Sequence, residues 1–203
     1  MAVKLTKNEQ KVQKDRLKQY ERYLPTLQLK KQQLQLVIRQ IEAEIELHRR
    51  SQKNLVRDMQ SWIAVYGENP AFGPDRGIES LITIKSIVRS RGNIAGVIIP
   101  IFEELTFDEQ AYDLHFYPLW VDQALECLRE YARLDALIAT LATQIKLLSN
   151  ELRTTSQRVN LFEKVKIPEA KENIRIIGIY LGDQQTAAVV RGKIAKKKLV
   201  GGH

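Results

Sequence analysis

The chain has 203 residues, a formal net charge of +8 and a single cysteine, Cys127. That length sets one or two domains, and one cysteine excludes an intramolecular disulfide framework. No apolar run approaches the roughly eighteen residues needed to span a bilayer, and no signal-peptide pattern opens the sequence, so a reducing, cytoplasmic setting is expected.

The positive charge invites acidic partners, whether nucleic acid, an anionic membrane surface or acidic protein. Its distribution is uneven. Residues 1–60 carry 14 basic and 7 acidic side chains and residues 166–203 carry 8 and 3, whereas residues 61–120 carry 4 and 8.

In chain order, Thr6-Lys-Asn-Glu9 reads as a capping box that opens a helix, with Thr6 accepting the Glu9 amide and Glu9 reaching back. From Leu17 to Tyr66, alternating steps of three and four meet apolar residues at twelve of fifteen positions; Lys31, His48 and Gln52 are the exceptions. A stripe repeating every 3.5 residues keeps facing one partner only if the helix supercoils around another. Pro25 removes one backbone hydrogen bond, which predicts a kink in a helix that otherwise continues. The three polar seam residues read as long side chains reaching water, not as metal ligands, since His48 has no second ligand at helical spacing. Glycine and proline at Gly67-Glu-Asn-Pro70 end the helix, and residues 68–80 form a loop by density of helix breakers.

The period then changes. Ile82 to Arg89 and Gly96 to Phe102 read as two strands joined by a turn at Ser90-Arg-Gly-Asn93, with Pro100 suited to an edge position. An isolated hairpin is marginal in water, so this one must pack on the helices or on a partner. Glu103, Glu104, Asp108, Glu109 and Asp113 read as a solvated loop face, and Thr106-Phe-Asp-Glu109 as a second capping box opening a short helix. Pro118 suits the first position of a second long helix. From Trp120 to Phe162 the heptad stepping meets apolar residues at twelve of thirteen positions, with Cys127 on the seam as a buried structural thiol. Glu163 to Pro168 predicts a kink or short break. Beyond it Ile174, Ile177, Leu181 and Ala188 continue the stepping more weakly in a helix that ends in a cationic run.

The expected fold is therefore mainly α, a long antiparallel two-helix coiled coil with a small head between the helices that contains a β-hairpin. Its parts are an N-terminal helix over residues 1–67, the head over 68–117, and a C-terminal helix with a basic tail over 118–203, all in one elongated domain. Catalytic chemistry finds no support. No phosphate-binding glycine loop is present, the three histidines are scattered, and nothing assembles a nucleophile, a base and an orienting group. No cofactor and no metal are expected. Nucleic-acid stacking is disfavoured because the aromatic residues fall on the seams, where core packing claims them. A prefoldin-like chaperone subunit shares the topology of two coiled-coil helices joined through hairpins, but such chains are shorter and carry apolar tips.

Particular blocks point to a family. Lys4-Leu-Thr-Lys7, Leu29-Lys-Lys31, Asn93-Ile-Ala-Gly-Val97 with Pro100, Pro118-Leu-Trp-Val-Asp-Gln-Ala124, and Arg158-Val-Asn160 with Glu163 and Ile167-Pro168 occur in the order and spacing of one group. The sequence resembles the D subunit of the V-type/A-type rotary ATPases over nearly its whole length. It departs from that pattern at Gln157-Arg158, where the family usually has two arginines, and at Gln184-Gln-Thr-Ala-Ala. The resemblance implies a non-catalytic central-stalk rotor subunit in a proton- or sodium-translocating complex, peripheral to the membrane. Implied partners are the catalytic and regulatory nucleotide-binding subunits of a hexamer, a small companion stalk subunit, and a socket subunit on the membrane ring. Asn93, Gly96, Pro100, Arg158, Asn160, Arg191, Lys193, Lys196 and Lys197 are the expected partner contacts.

Overall fold

Helix α1 (Lys7–Gly67) runs unbroken for 61 residues through Pro25. The structure is a computed structural model describing residues 3–67, 81–113, 117 and 120–200, with side chains described except at 61–67 and 200. The expected loop over 68–80, Pro118, and the seam side chains of Trp62 and Tyr66 lie outside the described residues. Two strands follow, β1 (Ile82–Ile94) and β2 (Val97–Glu109). Helix α2 (Val121–Leu161), a π-helical turn (Phe162–Lys166) and helix α3 (Ile167–Val200) complete the chain. The residues divide into two compact units, Gln33–Leu152 and Met1–Gln32 with Arg153–His203.

In the unit Gln33–Leu152 the two seams meet antiparallel. Leu34, Ile38, Ile41 and Ile45 of α1 form one buried cluster with Leu141 and Leu148 of α2 and Ile99 of β2. Leu34 and Leu148 are wholly buried. Burying one such side chain stabilises by about 1.5–3 kcal/mol, so these positions hold the helix pair together. A second cluster, Leu81, Val121, Ala124 and Leu125, ties the base of the hairpin to the first turns of α2.

The hairpin is longer than its sequence suggests, and its turn lies elsewhere. Ile94 pairs with Val97, so the loop is Ala95-Gly96, with positive φ at both residues (52° and 82°). Positive φ at both central positions is what a two-residue turn needs to match strand twist. The expected turn residues Ser90–Asn93 belong to β1 instead. Gly92 mimicked a turn signal for another reason: a Cβ there would sit 2.6 Å from Ile101 Cδ1, so the glycine makes room for a cross-strand side chain. Asn93 Oδ1 accepts the Gly96 amide at 2.9 Å, bracing the turn from the residue just before it. Strand register slips twice, leaving Lys85 extra on β1 and Glu103 extra on β2. The two bulges offset one another, so pairing resumes in phase.

The expected short helix at Thr106–Glu109 is strand instead. The Thr106 hydroxyl lies 2.6 Å from that of Ser86 on the facing strand and donates to the Ser86 carbonyl, so the cap-like residue serves the sheet. The acidic residues Glu103 to Glu109 are accordingly on a strand and not on a loop.

In the other unit, α1 begins as expected, but only half of the box forms. Thr6 Oγ1 accepts the Glu9 amide at 3.2 Å. The reciprocal bond is absent: the Thr6 amide donates to Lys4, and Glu9 accepts from the buried Gln13. Tyr20 stacks on Phe162 with ring centroids 5.3 Å apart, and Lys171 pairs with Glu21 at 3.2 Å. The predicted break before Pro168 is a π-helical turn. The Ile167 amide reaches back five residues to Phe162. This wider turn accommodates the proline ring, which lacks a donor and crowds the carbonyl four residues earlier. The helix continues, with Ala170 and Ile177 buried.

Two predictions test this packing. Ala95→Asn gives the turn its preferred Asn-Gly pair and relieves positive φ on alanine, which costs about 1–2 kcal/mol; the unfolding midpoint rises, whereas Gly96→Val lowers it. Leu148→Ala is expected to cost about 2–5 kcal/mol in denaturant titration, whereas Leu36→Ala on the exposed side of α1 stays within about 0.5 kcal/mol.

Candidate functional site

The hairpin is fastened to α2 by polar side chains as well as by Ile99. Ala136, Thr140 and Gln144 are buried and fall four residues apart, so they share one face of α2. Thr140 Oγ1 donates to the Ala136 carbonyl at 2.8 Å and accepts from Arg89 Nε of β1 at 3.0 Å. Gln144 Nε2 donates to the Pro100 carbonyl of β2 at 2.6 Å. Pro100 has no amide to leave unpaired, and its carbonyl is used by the helix. At the base, Arg129 of α2 pairs with Glu109 of β2 at 2.9 Å, and the Tyr112 hydroxyl donates to Asp122. That hydrogen bond, ahead of burial and the Asp122 charge, holds the Tyr112 phenol above its ordinary pKa.

Beside the base a cavity of about 620 Å³ is lined by Leu55, Glu103, Leu105, Phe107 and Cys127, with further residues of α2. Cys127 is half-buried and free. Burial, then the negative charges of Glu126 and Asp58, push its thiol pKa up. Less thiolate at a given pH makes it a poor nucleophile. Among the described residues no group of three His, Cys, Asp or Glu side chains is placed to hold a metal. No described helix is long and apolar enough to cross a membrane.

The expected contact residues fall into two sets. Asn93, Gly96 and Pro100 come together at the outer half of the hairpin in the unit Gln33–Leu152. Arg158, Asn160, Arg191, Lys193, Lys196 and Lys197 are exposed in the other unit. There Gly178 of α3 faces Gln10 near the start of α1, with 3.4 Å between a Cβ built at the glycine and the Gln10 amide. Beyond that point α3 outruns its mate. From Gly182 to Leu199 every residue except Ala187 is exposed; Ala187, not the expected Ala188, is the one partly covered. Ile176, Tyr180, Val190 and Ile194 are exposed as well, and their spacing puts them on one helix face. Thr140, Gln144 and Arg89 were missed by sequence reasoning; the only signal was a small or polar residue every fourth position beside the seam.

Residues 9–197 match the ATP synthase D-subunit family. The chain belongs to that family. It is 51% identical to the V-type ATP synthase D subunit of Borreliella burgdorferi, over 98% of this chain and 95% of the relative. The V-type ATP synthase D subunit of Chlamydia pneumoniae is 35% identical over 97% and 93%, and that of Chlamydia trachomatis serovar L2 is 32% identical over 97% and 96%. Membership covers both the hairpin and the uncovered end of α3.

Gln144→Ala removes the donor to Pro100 and is expected to cost about 0.5–1.5 kcal/mol. Faster amide exchange concentrated in β1 and β2, with α1 unchanged, is the expected readout. Cys127 is expected to alkylate more slowly than free cysteine at the same pH, and to reach the free rate once the protein is unfolded.

Proposed function

We propose that this chain is the non-catalytic central-stalk rotor subunit of a V-type/A-type ATPase and transmits torque between the nucleotide-binding hexamer and the membrane ion-translocating ring. The observation that carries the reading is family membership over nearly the whole chain. The uncovered basic end of α3 supports it: an exposed helix without a mate among the described residues suits insertion into a surrounding ring of subunits. Its partners in this reading are the catalytic and regulatory subunits of the hexamer, a small companion stalk subunit, and a socket subunit on the membrane ring. The protein is cytoplasmic and peripheral to the membrane in that assembly.

The physical logic is differential contact. One asymmetric shaft inside a ring of alternating subunits touches each nucleotide site differently at any instant. A contact shifts a site only by the difference in its free energy between that site's states. Turning the shaft therefore drives the sites through their states in order. Such a shaft must resist twisting, which the close-packed seam provides. Exposed Arg191, Lys193, Lys196 and Lys197 are the residues assigned to the hexamer, the hairpin residues Asn93, Gly96 and Pro100 to a stalk partner, and exposed Arg158 and Asn160 to a further partner contact.

Co-purification of the tagged chain with nucleotide-binding subunits is the first expectation; recovery of a mixture of unfolded client proteins, or of DNA, would count against it. Deleting residues 183–203 removes no buried side chain among the described residues, so the unfolding free energy should stay within about 0.5 kcal/mol. Assembly or coupling of hydrolysis to ion transport should nonetheless weaken. Charge reversal at Lys193, Lys196 and Lys197 should weaken association most at low salt, because exposed charges are screened over about 8 Å at physiological ionic strength. Full coupling in the truncated complex would rule out a role for this end.

A further inference from the structure

Within the unit Gln33–Leu152, one groove has a chemistry that neither helix pairing nor hairpin packing uses. Arg49, Lys53 and Arg57 follow one another at intervals of four residues on α1, so they share a face and rise about 6 Å per step. With Gln52, Val56, Gln60 and Tyr131 they line an open groove of about 360 Å³. No carboxylate is among the described lining residues. Arg49 is held by Glu46 of its own helix at 3.0 Å, a pair exposed to solvent on both sides. Lys53 and Arg57 have no carboxylate within ion-pair distance among the described residues. Three cations placed this way repel one another along the helix, so the arrangement works against α1 taken alone.

Two further observations mark the same place. Tyr131 falls on the α2 seam, where the heptad stepping expects a covered side chain, yet it is 41% exposed. Gln52, also a seam residue, has an amide nitrogen shielded from solvent with no hydrogen-bond acceptor. A buried donor without an acceptor is costly and calls for a partner. Val56 adds an exposed apolar surface on the groove wall.

We propose that this groove docks an acidic helical segment of another subunit of the complex. The inference rests on the reading of the chain as a subunit of such a complex and adds the place and chemistry of one contact. Carboxylates repeating every three or four residues on a partner helix match the rise of Arg49, Lys53 and Arg57. Arginine forks take carboxylates through two parallel hydrogen bonds. Tyr131 and Val56 give the partner an apolar anchor, and tyrosine is among the residues that concentrate binding energy at interfaces. A nucleic-acid strand is served less well. The cations span only about 12 Å along α1, and base stacking needs a series of aromatic faces where the described lining residues supply one.

The test uses the assembled complex. Tyr131 is replaced by the photocrosslinking residue p-benzoylphenylalanine, the complex is irradiated, and the adduct is identified by mass spectrometry of its peptides. The expected adduct is a peptide of a different subunit with Asp or Glu at three- or four-residue spacing. Lys53→Glu with Arg57→Glu should lower the adduct yield about tenfold, equivalent to about 1.4 kcal/mol of binding. Lys53→Gln with Arg57→Gln should lower it less, and unchanged helical circular dichroism shows that both variants fold. An adduct with a neutral or basic peptide, with lipid or with nucleic acid, no adduct at all, or a yield indifferent to charge reversal would overturn the groove assignment. Each of these leaves co-assembly intact. Failure of the unsubstituted chain to co-assemble with nucleotide-binding subunits would instead overturn the functional reading beneath it.

Discussion

Burial of one seam governs the rest of this protein. Helix α1 carries its apolar residues at a 3.5-residue repeat, and such a stripe has no stable solution on a lone helix in water. Leu34, Ile38, Ile41 and Ile45 therefore require Leu141 and Leu148. Antiparallel pairing follows, and the connecting residues are free to build something other than helix. The same demand operates on the N-terminal part of α1, where Tyr20 meets Phe162 of the π-helical turn and Glu21 meets Lys171 of α3. It also explains why the π-helical turn before Pro168 is tolerated. A wide turn costs less than ending the helix and exposing Ala170 and Ile177, which are buried beyond it.

The hairpin depends on the helices in turn. Two strands alone are marginal, and here the inner strand is fixed through Ile99 in the core and through the Pro100 carbonyl on Gln144. Arg89 reaches Thr140 from the outer strand. Apolar burial supplies most of the stabilisation, while the polar bonds set where along α2 the hairpin sits. A misplaced hairpin would leave Thr140 and Gln144 buried without these partners, which is costly in a dry environment. Gly96 at the turn and most of β1 remain exposed, while Ile94, Ala95 and Val97 pack against the seam.

The helical part was legible because its signal is periodic and long. Every described position of the first seam is buried or half-buried, and the weaker helical continuation beyond Pro168 holds. What failed was local and chemically ambiguous. Gly92 looked like a turn residue, but only the fold reveals Ile101 above it. Thr106 with Glu109 looked like a helix cap, but Ser86 offers the threonine a partner twenty residues away. For the candidate surfaces, Asn93, Gly96 and the basic end of α3 could be read directly, since turn chemistry and charge runs are visible in sequence. Thr140 and Gln144 could not, because a buried polar residue is recognised only by the partner that folding brings to it. The exposure of Tyr131 was hidden for the same reason: the heptad position was right, but no local signal shows that the groove opens there.

Within each unit the apolar seam packs the helices and leaves other faces of them uncovered, as the proposed stalk subunit requires. Rotation of the chain relative to a nucleotide-binding hexamer is the property on which the proposed function turns. With Cys127 replaced by alanine, a cysteine at Lys193 and another on the facing surface of one hexamer subunit can be joined by oxidation in the assembled complex. A rotor so locked should lose ATP hydrolysis in proportion to crosslink yield and regain it when the disulfide is reduced. Undiminished, coupled turnover in fully crosslinked complex would show that the chain does not rotate against the hexamer.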